Sequence, residues 1–255
     1  MTDRSPDFWE PLRAATRSRI GLGRTGDSLP TQQVLTMRAA HAAARDAVHL
    51  PWDAGRLEQG LRDLGLEVLR VASRAPDRAT YLRRPDLGRS PESLDHLPTG
   101  FAAYDVGVVL ADGLSARAHD EHAVPMVAAL VRALGEAGLS LAPVVLADQA
   151  RVGLGDHVGA RMGVGTLVVL VGERPGLSVA DSLGAYLSHR PRVGQRDSER
   201  NCVSNIHPPD GLGYEQAAAV LVSLVLGARQ LGESGVRLKD TWVPVLGGGA
   251  EGRAG

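Results

Sequence analysis

Tyr104-Asp105-Val106-Gly107-Val108-Val109-Leu110, running into Ala111-Asp112-Gly113, decides how the chain is read. The run is short, apolar and rich in β-branched residues, and it ends in turn-forming ones. Those features predict a buried strand. Downstream the pattern repeats. Leu141 to Leu146 and Thr166 to Val171 read as further buried strands, and Cys202 to Ile206 as a fourth. Between them Ala123 to Leu134, Arg151 to Met162 and Ser178 to Leu187 read as helices, and Tyr214 to Leu231 closes the series as another. Strands alternating with helices predict an α/β fold, a parallel sheet with helices on both faces.

Upstream the character is helical. Phe8, Trp9 and Leu12 recur at helical spacing before the glycine-rich turn at Gly21 to Gly26. A second helix runs from Leu29-Pro30-Thr31 to about Leu50, where Pro51 stops it. A third covers about Ala54 to Gly65, and a short fourth lies within Ser73 to Leu82. His96 to Gly100 reads as a linker or a boundary. The expected organisation is a helical region over 1–100, a sheet domain over 101–246 and a disordered glycine-rich tail over 247–255.

Composition narrows the function. Of 255 residues, 28 are Lys or Arg and 29 Asp or Glu, so no basic nucleic-acid footprint exists. Aromatic content of 4% argues against a base-stacking platform. Lys239 is the sole lysine, and arginine suits carboxylate, phosphate and interface contacts. Cys202 is the sole cysteine, which excludes an intramolecular disulfide and a thiolate-rich metal site. No signal-like leader and no apolar run of membrane-spanning length stands out, so a cytoplasmic protein off the membrane is expected.

In a parallel sheet, ligands bind outside the carboxyl ends of the strands. The loops to watch are 111–115, 147–152, 172–176 and 204–207, all more polar than the strands that feed them. In Gly172-Glu173-Arg174-Pro175-Gly176-Leu177-Ser178 the glycines permit close approach, and Ser178 is placed to cap the helix expected after it. Glu173 at a strand end needs a partner, either Arg174 or a neutral ligand bearing amides. The other signals are weaker. Gly21-Leu22-Gly23-Arg24-Thr25-Gly26 spells G-x-G-x-x-G but sits between helices, where a turn explains it better than a dinucleotide. Cys202 reads as a small buried hydrophobe rather than a nucleophile. His119 and His122 lack zinc-site spacing, and neither a nucleophile elbow nor a P-loop occurs. Arg83-Arg84-Pro85-Asp86-Leu87-Gly88-Arg89 is a stiff Arg/Asp loop suited to solvent or to a partner.

The order and spelling of these stretches carry more than any one of them. Ser18 to Arg24, Ala44 to Val48, Tyr81 to Arg89, Ala111 to Ala116, Arg151 to Asp156, Gly172 to Leu177, Asp181 to Gly184, Arg200 to Ile206 and Ser234 to Lys239 resemble the small (light) chain of ethanolamine ammonia-lyase. The resemblance implies a Rossmann-like domain that covers part of adenosylcobalamin, preceded by a helical region against a large (β/α)8-barrel subunit. It places cobalamin contacts at Val152, Glu173 and Cys202, with no catalytic residue and no metal ligand in this chain. It implies a carbon–nitrogen lyase, active only with the large subunit, that converts ethanolamine to acetaldehyde and ammonia. The D-x-H-x-x-G signature of base-off cobalamin sites is unmet; Asp120-Glu121-His122-Ala123-Val124-Pro125 comes closest. No histidine of this chain is therefore expected to ligate cobalt. The competing readings are a stand-alone cobalamin carrier or chaperone, and an independent nucleotide-dependent α/β enzyme that uses the Gly21 to Gly26 loop. Whether the complex is free in the cytoplasm or packed in a bacterial microcompartment is left open.

Overall fold

Six strands form one sheet, in the order β1-β3-β2-β4-β5-β6. They are β1 (Val68–Ala72), β2 (Val106–Ala111), β3 (Val144–Asp148), β4 (Thr166–Gly172), β5 (Leu183–His189) and β6 (Asn201–Ile206). The helices are α1 (Glu10–Ala15), α2 (Thr31–His49), α3 (Ala54–Asp63), α4 (Arg78–Arg83), α5 (Ala116–Glu136), α6 (Val152–Met162) and α7 (Tyr214–Leu231). This is a computed structural model, and it describes residues 7–100 and 104–240. The tail expected over 247–255 lies outside the described residues.

The sheet is mixed, which corrects the parallel sheet expected. β1, β3, β2 and β4 run parallel, whereas β5 is antiparallel to both β4 and β6. The error lies in one segment. Ser178 to Leu187 was read as a helix, but 183–189 is β5. Leu183, Ala185 and Leu187 alternate with Gly184, Tyr186 and Ser188, a period of two that suits a strand. With no crossover helix between them, β4 and β5 can only pair antiparallel. The apolar members of that alternation pack under α5 and α7. A further strand, β1, joins the sheet edge from within the N-terminal hundred residues.

The other elements follow their local chemistry. Ser115 caps α5 by accepting from the Ala118 amide at 3.3 Å, so the helix opens at Ala116 rather than Ala123 and carries Pro125 inside it. α2 ends at His49, before Pro51. β2 and β4 are buried along their whole length, as strands covered on both faces must be. Val108, Leu110, Val168 and Leu170 point into a core shared with α3, α5 and α7. Val109, Val145, Val169 and Val171 point the other way, against Leu154, Val158 and Met162 of α6. Among the described residues no helix is long and apolar enough to cross a membrane.

Candidate functional site

The chain reverses its direction of travel across the sheet between β2 and β4. From β2 it crosses through α5 to β3 on one side, then through α6 to β4 on the other. Loops leaving β2 and β4 must therefore part, and that crevice is where open α/β sheets bind ligands. A cleft of about 460 Å³ lies there. Gly113 and Leu114 come from the β2 loop, Arg151 and Val152 from the start of α6, and Glu173 from the end of β4. A second cleft of about 730 Å³ continues from it past Gly153, Asp156, Gln195 and Arg200. The two share Arg151, Val152 and Tyr186.

The cleft exists because one helical layer stops short. α6 packs on β2 and β4, while α5 and α7 cover the opposite face out to β6. On the α6 side β6 leaves an uncovered strip of Cys202, Ser204 and Asn205, while β5 is buried at Gly184 and Ser188 and half-exposed at Tyr186. Tyr186 on β5 and Cys202 on β6 face each other across that uncovered strip. Of the three residues singled out from the sequence, Val152 and Glu173 line one cleft, and Cys202 joins them through Tyr186. The structure thus brings all three to one surface.

Glu173 is held in place by its neighbours. Its Oε2 accepts from the Ser182 hydroxyl at 2.6 Å and from the Asn205 amide at 3.3 Å. No ion pair with Arg174 occurs among the described residues, so that expected partner is replaced by Ser182 and Asn205. The Asn205 amide reaches it because β6 bulges between its pairings with Leu183 and Ala185, with Asn205 at φ +63°. Gly184 makes room: a Cβ there would lie 2.9 Å from Glu173 Oε1. Ser178 caps no helix, because none follows it; Arg17 and Arg19 instead hydrogen-bond the backbone carbonyls of Ser178 and Leu177.

Cys202 is exposed rather than buried as the sequence suggested. Its sulfur is nonetheless crowded enough that desolvation raises the thiol above its ordinary range. A hydrogen bond from Tyr186 opposes that shift, and the Glu173 carboxylate adds to it. A thiol held protonated is a poor nucleophile, so Cys202 is ill suited to covalent chemistry. Tyr186 is itself pushed up to about 12, by desolvation first and the neighbouring Cys202 second. Sequence reasoning missed Tyr186 because it fell in the segment taken as helical.

Beneath the cleft Tyr81 is fully buried, and burial pushes its phenol up to about 12. The guanidinium groups of Arg78 and Arg151 stand over its ring, 4.8 and 4.7 Å from the centroid. Arg78 donates to the carbonyls of Val48 and Gly113, at 2.7 and 2.8 Å, and pairs with buried Asp112 at 3.4 Å. Asp112 accepts from the Ala150 amide at 2.7 Å, and desolvation pushes its carboxyl up to about 7. This network ties the end of α2, the β2 loop and the start of α6 into one frame.

A parallel four-strand core with antiparallel strands added at one edge, and a half-open cleft at its switch point, make an α/β fold that presents this cleft at a surface. The ethanolamine ammonia-lyase light chain family matches residues 6–239. A Rhodococcus erythropolis protein described as ethanolamine ammonia-lyase small subunit is 59% identical, covering 94% of this chain and 93% of its own length. Proteins of the same description from Azotobacter vinelandii and Ralstonia nicotianae are 48% and 46% identical, covering 94% and 93% of this chain and 92% and 90% of their own lengths. The chain belongs to the ethanolamine ammonia-lyase light chain family.

Proposed function

We propose that this chain works as the small subunit of an adenosylcobalamin-dependent ethanolamine ammonia-lyase, with the cleft receiving part of the corrinoid. The observation that carries the reading is the meeting of Val152, Glu173 and Cys202 around Tyr186 on the uncovered strip of sheet. The residues fit the group. Cobalamin is large and fringed with amides, and neither cleft encloses it, so a second protein surface is needed. Val152, Val171 and Tyr186 offer walls, and Glu173 offers an acceptor for a side-chain amide. When bound, the cofactor supplies homolysis of its cobalt–carbon bond.

This chain's part is to hold and to exclude. The frame built on Asp112, Arg78 and Tyr81 fixes the loops, and the cleft walls keep water from one face of the ligand. Substrate contacts and the conversion of ethanolamine to acetaldehyde and ammonia belong to a large barrel subunit. The region over 1–100, where Phe8, Trp9, Leu12, Leu29 and Leu35 are exposed, is assigned the contact with that subunit. The domain over 101–246, Rossmann-like in its parallel part, is assigned the cofactor. The complex is placed in the cytoplasm, free or within a microcompartment.

Co-expression with the large subunit tests this. The pair retains cobalamin and deaminates ethanolamine, and neither chain does so alone. Glu173→Ala lowers cobalamin retention by roughly tenfold, the scale of one hydrogen bond to a charged group. Tight cobalamin binding by this chain alone, with no deaminase activity in the pair, would establish the carrier reading instead. Unchanged affinity in Glu173→Ala would remove that residue from the site.

A further inference from the structure

Three arginines in the joined clefts lack an acid: the exposed Arg174, and Arg89 and Arg151 at the start of α6. Arg200 is buried and paired with Asp156 and Asp197, so the carboxylates of the larger cleft are already engaged. Glu173, on the other side, is held by Ser182 and Asn205. The Arg89 and Arg151 side chains form no ion pair and no hydrogen bond among the described residues. Arg151 is half-buried, lines both clefts, and has its Nε shut away from solvent without a partner. Stacking on Tyr81 fixes the direction of its guanidinium group. Arg89 lies against the first turn of α6, 3.4 Å from where a Cβ on Gly153 would stand. That turn receives no side-chain cap; the Leu154 amide turns back to the Arg151 carbonyl at 2.9 Å, which leaves the amides of Val152 and Gly153 for a ligand.

A partly desolvated cation without a counterion is costly, and a planar guanidinium beside open helix amides matches a phosphate ester. We propose that Arg151, with Arg89 beside it, binds the phosphodiester of cobalamin's nucleotide tail. The inference rests on the reading above that this chain binds cobalamin, and it adds which part of the cofactor lies at the start of α6.

The test is equilibrium binding of three corrinoids to the two-subunit complex, followed by absorbance. Cobalamin and cobinamide phosphate carry the phosphate; cobinamide lacks it. Arg151→Gln weakens the first two about ten- to a hundredfold and leaves cobinamide unchanged, as expected for a lost charge-assisted contact. Arg151→Lys, which keeps the charge, recovers most of the loss and guards against a folding defect. Raised salt narrows the gap between cobalamin and cobinamide in the wild type. Equal loss for all three corrinoids, or no loss for any, overturns the proposal. Failure of the wild-type complex to bind any corrinoid strikes the proposed function itself, a result that differs from both.

Discussion

The parallel part of the sheet and its antiparallel edge use the same kinds of side chain to opposite ends. β2 and β4 are buried from end to end under α5 on one face and α6 on the other. β6 alternates instead: Val203 and Ile206 enter the core under α7, while Cys202, Ser204 and Asn205 are exposed. The first arrangement maximises burial. The second gives up a helical layer and obtains a bare strip beside a cleft. The lesson is that the cleft lies on neither half alone but at their seam, where Glu173 follows β4 and accepts a hydrogen bond from the bulge of β6.

The contrast can be broken most sharply by truncation. Leu170→Ala, fully buried on β4, should cost about 2–5 kcal/mol in urea unfolding. A cost below about 1 kcal/mol would mean that the parallel half is not the stabilising one. Next in size is a pH effect on the same half. His119 is fully buried beside the Leu170 carbonyl, and desolvation holds it down to about 4. Between about 6.5 and 4 the unfolded chain takes up a proton at this residue that the folded one refuses, so the His119 contribution to stability falls as pH drops through this window. The full loss is of order 3 kcal/mol. It should vanish in His119→Gln, and the same slope in that variant would locate its source elsewhere.

Smaller effects belong to the seam. Gly184→Ala drives a methyl against Glu173 and should cost about 1–3 kcal/mol. Its loss of cobalamin affinity should not add to that of Glu173→Ala. Additive losses would show that Gly184 does not act through Glu173. Smallest of all, Cys202→Ala should change stability by less than about 0.5 kcal/mol while altering cobalamin retention. A loss comparable to that of Leu170→Ala would mean that the strip is core after all.

Much of this was legible beforehand. Val106 to Leu110, Thr166 to Val171 and Tyr214 to Leu231 announce their elements through unbroken or periodic apolar runs, and Pro51 marks where α2 ends. The polar loops that meet at the switch point could also be named, and with them Glu173, whereas Val152 came only from the family resemblance. Strand direction could not. Whether β5 runs with or against β4 depends on what connects them, and Ser178 to Leu187 holds enough apolar residues to pass for a helix turn. Val68 to Ala72 escaped because Arg70 interrupts a short run at an edge, where burial is partial. Tyr186 was lost with its strand. Its signal was the alternation of Leu183, Ala185 and Leu187, which places residue 186 on the other face. The unpaired state of Arg151 has no local signature at all, since it depends on which acids other segments bring near.

The uncovered strip has a practical corollary. The one sulfhydryl of the chain stands on it, next to the cleft and within reach of reagents. A thiol-reactive fluorophore would tag a single position without further engineering, slowly at neutral pH because the group resists ionisation. Anything that settles over β5 and β6 should slow that tagging further, making the rate of modification a direct gauge of occupancy.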